Sequence, residues 1–238
     1  MGVIEILSSR REYTKLNPCV VLLGKGDHQI TSSFTDPTAH FGDGFRETAL
    51  EITRSNVTFI GTGKDTTTIL GGFAIYNVEN ITFKNMTVTN TSQNGNGIYM
   101  SHAKLELFDV ALKGSCSCAL YIPTPSSETT LVAKRCEFAN SRDGVIIHGS
   151  STSAKFKNCV FHDNSGDGIF VSSQATIHLH GEATAIHSNW GKGISAFNSS
   201  KVIIHLPSHH NTSYNNGQED RRTKDGGTIT NLDEEADN

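Results

Sequence analysis

Five stretches of the chain repeat one another: Gly97-Ile-Tyr-Met, Ala119-Leu-Tyr-Ile, Gly144-Val-Ile-Ile, Gly168-Ile-Phe-Val and Gly193-Ile-Ser-Ala. Their first residues stand 22, 25, 24 and 25 positions apart. A recurrence in this range marks a solenoid, in which no single repeat buries its own apolar face and neighbours must stack to form a core. A second apolar segment recurs with the first. It runs Ile81-x-Phe83-x-x-Met86-x-Val88, then Leu105, Leu107, Val110 and Leu112, then Leu131, Ala133, Cys136 and Phe138, then Ala154, Phe156, Cys159 and Phe161. The two-residue steps are strand period, and the three-residue step in the middle marks a bend. Each coil therefore takes roughly 24 residues and about three short strands, with none of the long 3.6-period helices that a TPR or ankyrin array needs.

Stacking turns sequence offsets into spatial columns, with successive rungs about 4.8 Å apart. Asn90, Asn140, Asn164 and Asn189, with Gly114 filling the remaining coil, are expected to form one inward column at a tight bend. There each side-chain amide bonds its neighbour and the turn backbone. Asn56-Val-Thr-Phe and Asn80-Ile-Thr-Phe carry the pattern back to about Val57, and Val20–Leu23 with His28–Ile30 resemble an earlier coil. The organisation expected is a cap over residues 1–19, with an amphipathic helix from Gly2 to Leu16, and a solenoid domain over 20–231. Residues 17–56 include a polar loop insertion (Thr31 to Glu47). Gln218 to Lys224 is expected as a solvated excursion, and 232–238 is an acidic end.

Charge and composition narrow the function classes. The formal net charge is −4, so no global field favours nucleic acid or an anionic membrane. No apolar run is long enough to span a bilayer, and the first residues lack a basic segment followed by a secretory apolar core. The expectation is a soluble chain inside a cell or within a particle. The five cysteines include no pair of motifs at zinc spacing. Cys136 and Cys159 occupy matching repeat positions and are read as small buried hydrophobes. No cofactor and no metal site are expected.

The Asp143-Gly-Val and Asp167-Gly-Ile strand starts, the asparagine column and the Val57–Leu70 opening (VTFIGTGKDTTTIL) together resemble the right-handed parallel β-helix, or pectin-lyase-like, superfamily. The resemblance covers about residues 20 to 231. It implies an all-β, single-stranded parallel β-helix of about seven to eight coils. It does not fix function, because the superfamily includes lyases, hydrolases, epimerases, adhesins, phage and virus spikes and non-catalytic domains. The polygalacturonase set (Asn-Thr-Asp, Asp-Asp, Gly-His-Gly, Arg-Ile-Lys) is missing apart from the final Asp at Asp143 and Asp167. The alginate epimerase motif Tyr-Gly-Phe-Asp-Pro-His is missing as well, and no calcium-type carboxylate cluster of the pectate lyase kind is visible.

Alternation within the repeated strand points Ile98, Leu120, Val145, Ile169 and Ile194 inward. Tyr99, Tyr121, Ile146 and Phe170 point outward, followed by Ser195. The next outward column holds Ser101, Pro123, His148, Ser172 and Phe197. Tyr99, Tyr121, Ile146, Phe170 and Phe197 are the candidate binding residues, an apolar stripe that either meets a glycan or protein surface or lies under the N-terminal loop or the C-terminal excursion. The residues before each glycine (Asn96, Cys118, Asp143, Asp167, Lys192) make a further column. Asp143 and Asp167 fall on adjacent coils, where a carboxylate pair could serve a glycosidase, with Lys192 or His148 assisting; Asp-Gly is also a common turn dipeptide. Lys84, Phe108, Lys134, Lys157, His180 and His205 share an outward position on another sheet, and His162 pairs with His187. These are read as a solvated face and as surface or turn pairs. The function expected is a non-catalytic scaffold or recognition module. The alternatives are a polysaccharide hydrolase or lyase using Asp143 and Asp167, and a structural component whose stripe is buried in a homo-oligomer or larger assembly.

Overall fold

The computed structural model describes residues 13–35, 46–124, 127–206 and 212–233. These residues form a right-handed β-solenoid of about 7 turns. One sheet of nine strands runs along it, from Ser33–Thr35 and Arg46–Ile52 through Ile98–Ser101, Asp143–His148 and Ile194–Phe197 to Arg221–Lys224. The remaining faces belong to a 15-stranded sheet, joined through the long bent strands Ile81–Thr89 and Lys104–Lys113. The strands pair in parallel, except for Ser33–Thr35, which runs antiparallel to Arg46–Ile52. Leu120 pairs with Ile98 and with Val145, and Ile169 with Val145 and with Ile194, so the inward column stands as its spacing predicts. All five of its members are fully buried.

Left-handed residues make the corners. The bend expected between the paired apolar steps is a single residue with positive φ: Asn85 (57°), Asp109 (53°), Arg135 (54°), Asn158 (54°) and Gly181 (86°). One residue in this region redirects the strand without ending its ladder. A second corner stacks Gly114 (69°), Asn140 (51°), Asp163 (53°), Ser188 (56°) and Asn215 (54°). A third turns at Ser173 and Gln174, at Asn198 and Ser199, and at Asp225 and Gly226.

The inward ladder lies one residue beyond the second corner, which corrects the expected column. Asn140 and Gly114 are the corner itself, and Asn140 is exposed. The ladder runs through Ser115, Ser141, Asn164, Asn189 and Asn216. Asn164 Nδ2 donates to Asn189 Oδ1 (2.8 Å), and Asn189 Nδ2 donates to Asn216 Oδ1 (2.9 Å). The backbone N–H of Ser141 donates to Asn164 Oδ1 (3.1 Å), and that of Ser115 to Ser141 Oγ (3.0 Å). Asn90 is buried at the head of the stack, donating to the carbonyls of Thr48 (3.0 Å) and Asn96 (2.8 Å). The spacing misplaces Asn140 because asparagine suits both the corner and the ladder, and both repeat at nearly the same interval.

The ladder also explains the glycines. A Cβ on Gly168 would stand 2.7 Å from Asn189 Nδ2, and one on Gly193 2.6 Å from Asn216 Nδ2. Each glycine faces the ladder residue of the next rung. The alanine of this column, Ala119, precedes a rung whose ladder residue is the smaller Ser141; Gly97 also precedes a serine, Ser115, and there the tighter contact for an added Cβ is the Ala119 carbonyl at 2.6 Å.

The cap expected over residues 1–19 finds no support. Residues 1–12 lie outside the described ones, Thr14 and Asn17 form an isolated antiparallel bridge, and no helix occurs among the described residues. Cys19–Leu22 and Gly26–Gln29 pair with Val57–Ile60 and Thr67–Leu70, so the early coil is present. The expected excursion from Gln218 to Lys224 is partly strand: Arg221–Lys224 pairs with Ile194–Phe197. Its Arg-Arg-Thr-Lys sequence is wholly exposed and has no alternation to betray it.

Candidate functional site

The candidate site is the outward face of the nine-stranded sheet. Tyr121 pairs with Tyr99 and Ile146, Ile146 with Phe170, and Phe170 with Ser195, so the first outward column exists as drawn. Rings from the two outward columns interleave into one file along the solenoid axis. Centroid separations are 5.3 Å for Phe34–Tyr99, 5.9 Å for Tyr99–Tyr121, 6.1 Å for Tyr121–His148, 5.8 Å for His148–Phe170 and 5.3 Å for Phe170–Phe197. Most of these contacts are tilted or edge-on, the arrangements that ring quadrupoles favour.

The two ends of the file differ. Phe34, carried on the hairpin built from Ser33–Thr35 and Arg46–Ile52, packs with Ala49, Ala74 and Tyr99 into a small cluster of its own outside the main core. Tyr99 is only 1% exposed. It points outward and lies under Phe34 of the N-terminal insertion, the covered one of the two outcomes open for the stripe. Tyr121, Ile146, His148, Phe170 and Phe197 keep partial exposure. Burial between Tyr121 and Phe170 holds the His148 imidazole below its ordinary range, which favours its neutral, ring-like form.

The column before the glycines edges this face and has a structural job. Asn96 Oδ1 accepts the backbone N–H of Cys118 (3.2 Å), Asp143 Oδ1 that of Asp167 (3.1 Å), and Asp167 Oδ1 that of Lys192 (2.8 Å). Each side chain thus ties its own rung to the next. The other carboxylate oxygens are engaged too. Asp143 Oδ2 accepts from Arg142 Nε (3.1 Å) and Asp167 Oδ2 from Ser195 Oγ (2.7 Å). The Lys192 ammonium stands 4.0 Å from Asp167 Oδ1. Adjacency of the two aspartates is as expected, and every oxygen of the pair already accepts a hydrogen bond. His148 lies in the ring file and shares none of the hydrogen bonds of that carboxylate column. Cys118 is buried here, and burial pushes its thiol up to about 11, so it is not a ready nucleophile.

On the other sheet, register confirms the Lys84, Phe108, Lys134, Lys157 and His180 column. Lys84 and Lys134 each set an ammonium 5.3 Å from the Phe108 ring centroid. His162 stacks on His187 at 5.3 Å, and Tyr214 continues that stack at 5.2 Å. His178, absent from the columns expected to matter, stands two residues before His180 on the same outward side of Thr176–His180. Its signal in the sequence is the alternation His178-Leu179-His180.

The family model described as right handed beta helix region matches the sequence twice, over residues 15–181 and 71–232. No curated protein matches it. Among solved structures, the A-module of the mannuronan C-5 epimerase AlgE6 of Azotobacter vinelandii is similar, with a TM-score of 0.65 at 16% identity. That match covers 90% of this chain and 60% of the epimerase module. The pectate lyase Pel9A is similar with a TM-score of 0.54 at 12% identity, covering 78% of this chain and 59% of the lyase. This chain therefore spans about three fifths of either structure, and at these identities the likeness is one of fold.

Proposed function

The chain belongs to the right-handed β-helix family, and we propose that it is a non-catalytic recognition module whose ligand is a polysaccharide lying along the solenoid axis. The observation that carries this reading is the ring file Tyr121, His148, Phe170 and Phe197. A soluble solenoid has no need of partly exposed aromatic rings in unbroken succession down one face. Rings spaced along the axis offer an extended glycan one apolar platform per rung, against which the C–H faces of sugars pack. His148, held neutral, adds a ring without adding a charge. Phe34 seals the first ring and so defines where the platform begins. The solved structures similar in fold include a mannuronan epimerase and a pectate lyase, which makes a glycan the first ligand class to try.

The carboxylate column supports the non-catalytic side of this reading. With Oδ1 of each holding the amide of the next rung, an acid or nucleophile at Asp143 or Asp167 would have to work through Oδ2, which already accepts from Arg142 or Ser195.

The test is affinity electrophoresis and calorimetry against a panel of neutral and acidic polysaccharides. One member of the panel should retard the chain. Phe170→Ala and Tyr121→Ala should each weaken that binding at least tenfold with an unchanged circular dichroism spectrum, and Lys84→Ala on the far sheet should not. Binding that survives both ring variants, or an absence of binding across the panel, defeats the proposal. Release of reducing ends or unsaturated products that Asp143→Asn abolishes would establish the hydrolase or lyase alternative. A defined oligomer that Phe170→Ala disperses would establish the assembly alternative.

A further inference from the structure

We propose that His178, His180 and His205 form a binding site for a divalent transition-metal ion on the outer face of the 15-stranded sheet, apart from the aromatic file. His178 and His180 lie two residues apart on the Thr176–His180 strand, so both face outward. His205 lies on the next strand, Lys201–Leu206, in register with His180: the pairing Leu179 with Ile204 places it there. The three imidazoles therefore come from two adjacent rungs and converge, with one nitrogen from each lying within 4.8 Å of the others. The His180 and His205 rings stack at 3.8 Å and 12°. His178 Nδ1 and His205 Nε2 are 2.9 Å apart, sharing a proton. Two imidazole nitrogens bound to one ion at about 2.0–2.1 Å stand about 2.9 Å apart at a right angle and about 3.3–3.4 Å apart at the tetrahedral angle of zinc, so the observed pair needs at most a few tenths of an ångström of opening. Binding would displace that proton and seat the ion off the line between the two nitrogens, with the rings of His178 and His205 turning toward it and His180 turning in as the third ligand.

The donor set selects the class of ion. Three neutral nitrogens without a carboxylate suit Zn²⁺, Ni²⁺, Co²⁺ or Cu²⁺ and not Ca²⁺ or Mg²⁺, which need oxygen. Partial exposure of all three histidines leaves coordination positions open to water or an exogenous ligand. Lys155 and Lys157 face the group from the preceding rung, in register with His178 and His180. Their charge opposes a cation and lowers the affinity.

The experiment is calorimetric titration of the full chain, stripped with chelator, with Zn²⁺ and separately with Ni²⁺. A Co²⁺ visible spectrum reports nitrogen coordination directly. One equivalent should bind. His178→Ala, His180→Ala and His205→Ala should each lose at least tenfold in affinity and alter the cobalt spectrum, while His162→Ala, in the other histidine stack, should do neither. Circular dichroism of each variant without metal verifies the fold, and His178→Gln provides a second, milder test of the same ligand. Zn²⁺ should raise the melting temperature of the parent chain but not of the His178→Ala variant, because the ion stabilises only the form that binds it. No binding at one equivalent, affinity unchanged in all three variants, or loss of affinity in His162→Ala alone would overturn the assignment.

Discussion

Asn189→Ala tests the ladder at its most connected point. The residue is 1% exposed. Its Oδ1 accepts the Asn164 backbone N–H (3.2 Å) and the Asn164 side-chain amide (2.8 Å). Its two Nδ2 hydrogens are shared among the carbonyls of Phe161 and His187 (both 3.1 Å) and Asn216 Oδ1 (2.9 Å). Truncation strands unequal partners. The Asn164 side chain keeps the Phe138 carbonyl (3.2 Å), and Asn216 Oδ1 keeps the Asn189 backbone N–H (3.1 Å). The Asn164 backbone N–H has no such substitute, and a buried donor without an acceptor costs about 1–3 kcal/mol. With the small void left behind, the loss should be about 2–4 kcal/mol. Asn140→Ala is the matched comparison. Asn140 is exposed at the corner with φ of 51°, so its replacement costs about 1 kcal/mol, the price of a left-handed alanine. Asn140→Gly should be neutral or slightly stabilising. Urea denaturation followed by circular dichroism measures all three, read as midpoint shifts at constant slope. Equal losses for Asn140→Ala and Asn189→Ala, or a loss below about 1 kcal/mol at Asn189, would refute the assignment of the ladder.

Gly168→Ala should lose about 1–3 kcal/mol in the same assay, because its Cβ would meet Asn189 Nδ2 and Ile186 Cγ2 at 2.7 Å each. Ala119→Gly, in the rung that faces Ser141, should lose about 1 kcal/mol for its buried methyl and added chain freedom. Burial holds the His148 pKa below its ordinary 6.5, so the native state resists protonation there. Stability should therefore hold above pH 6.5 and decline as the pH falls through the folded value; His148→Phe should flatten that part of a melting-temperature profile. Arg135 bonds the Asp109 carboxylate through two nitrogens and holds its pKa below the usual range. The stabilisation is present above the unfolded carboxylate pKa and lost as pH falls through the folded one. Asp109→Asn should remove it, by an amount that shrinks in high salt because Arg135 is exposed and Asp109 half-buried.

The solenoid and its columns were legible in the sequence because both arise from a fixed interval. The inward row from Ile98 to Ile194 and the paired steps from Leu105 to Phe161 are set by alternation, which water enforces at every rung. The bend within each pair was visible as a three-residue step. What failed, failed where chemistry does not alternate. Asn140 and Ser141 are both good turn residues, and only hydrogen bonding tells corner from ladder. Arg221–Lys224 is strand because Ile194–Phe197 offers it an edge, a fact held in the partner strand. The covering of Tyr99 by Phe34 joins residues 65 positions apart across an insertion with no repeat. The Asp143–Asp167 adjacency followed from register, but the amide each carboxylate receives depends on rotamers that spacing does not encode. His178 does not stand out in the sequence because its column is otherwise mixed: Lys155 on one side and Ile203 on the other.

Because one or two left-handed residues make each bend, a circuit can be removed whole wherever the residues that meet across the new joint still match. Excising residues 144–167 would join Asp143 to Gly168, recreate the native Asp-Gly junction, and seat Ser141 beside Asn189. The product would be a shorter spring of the same gauge.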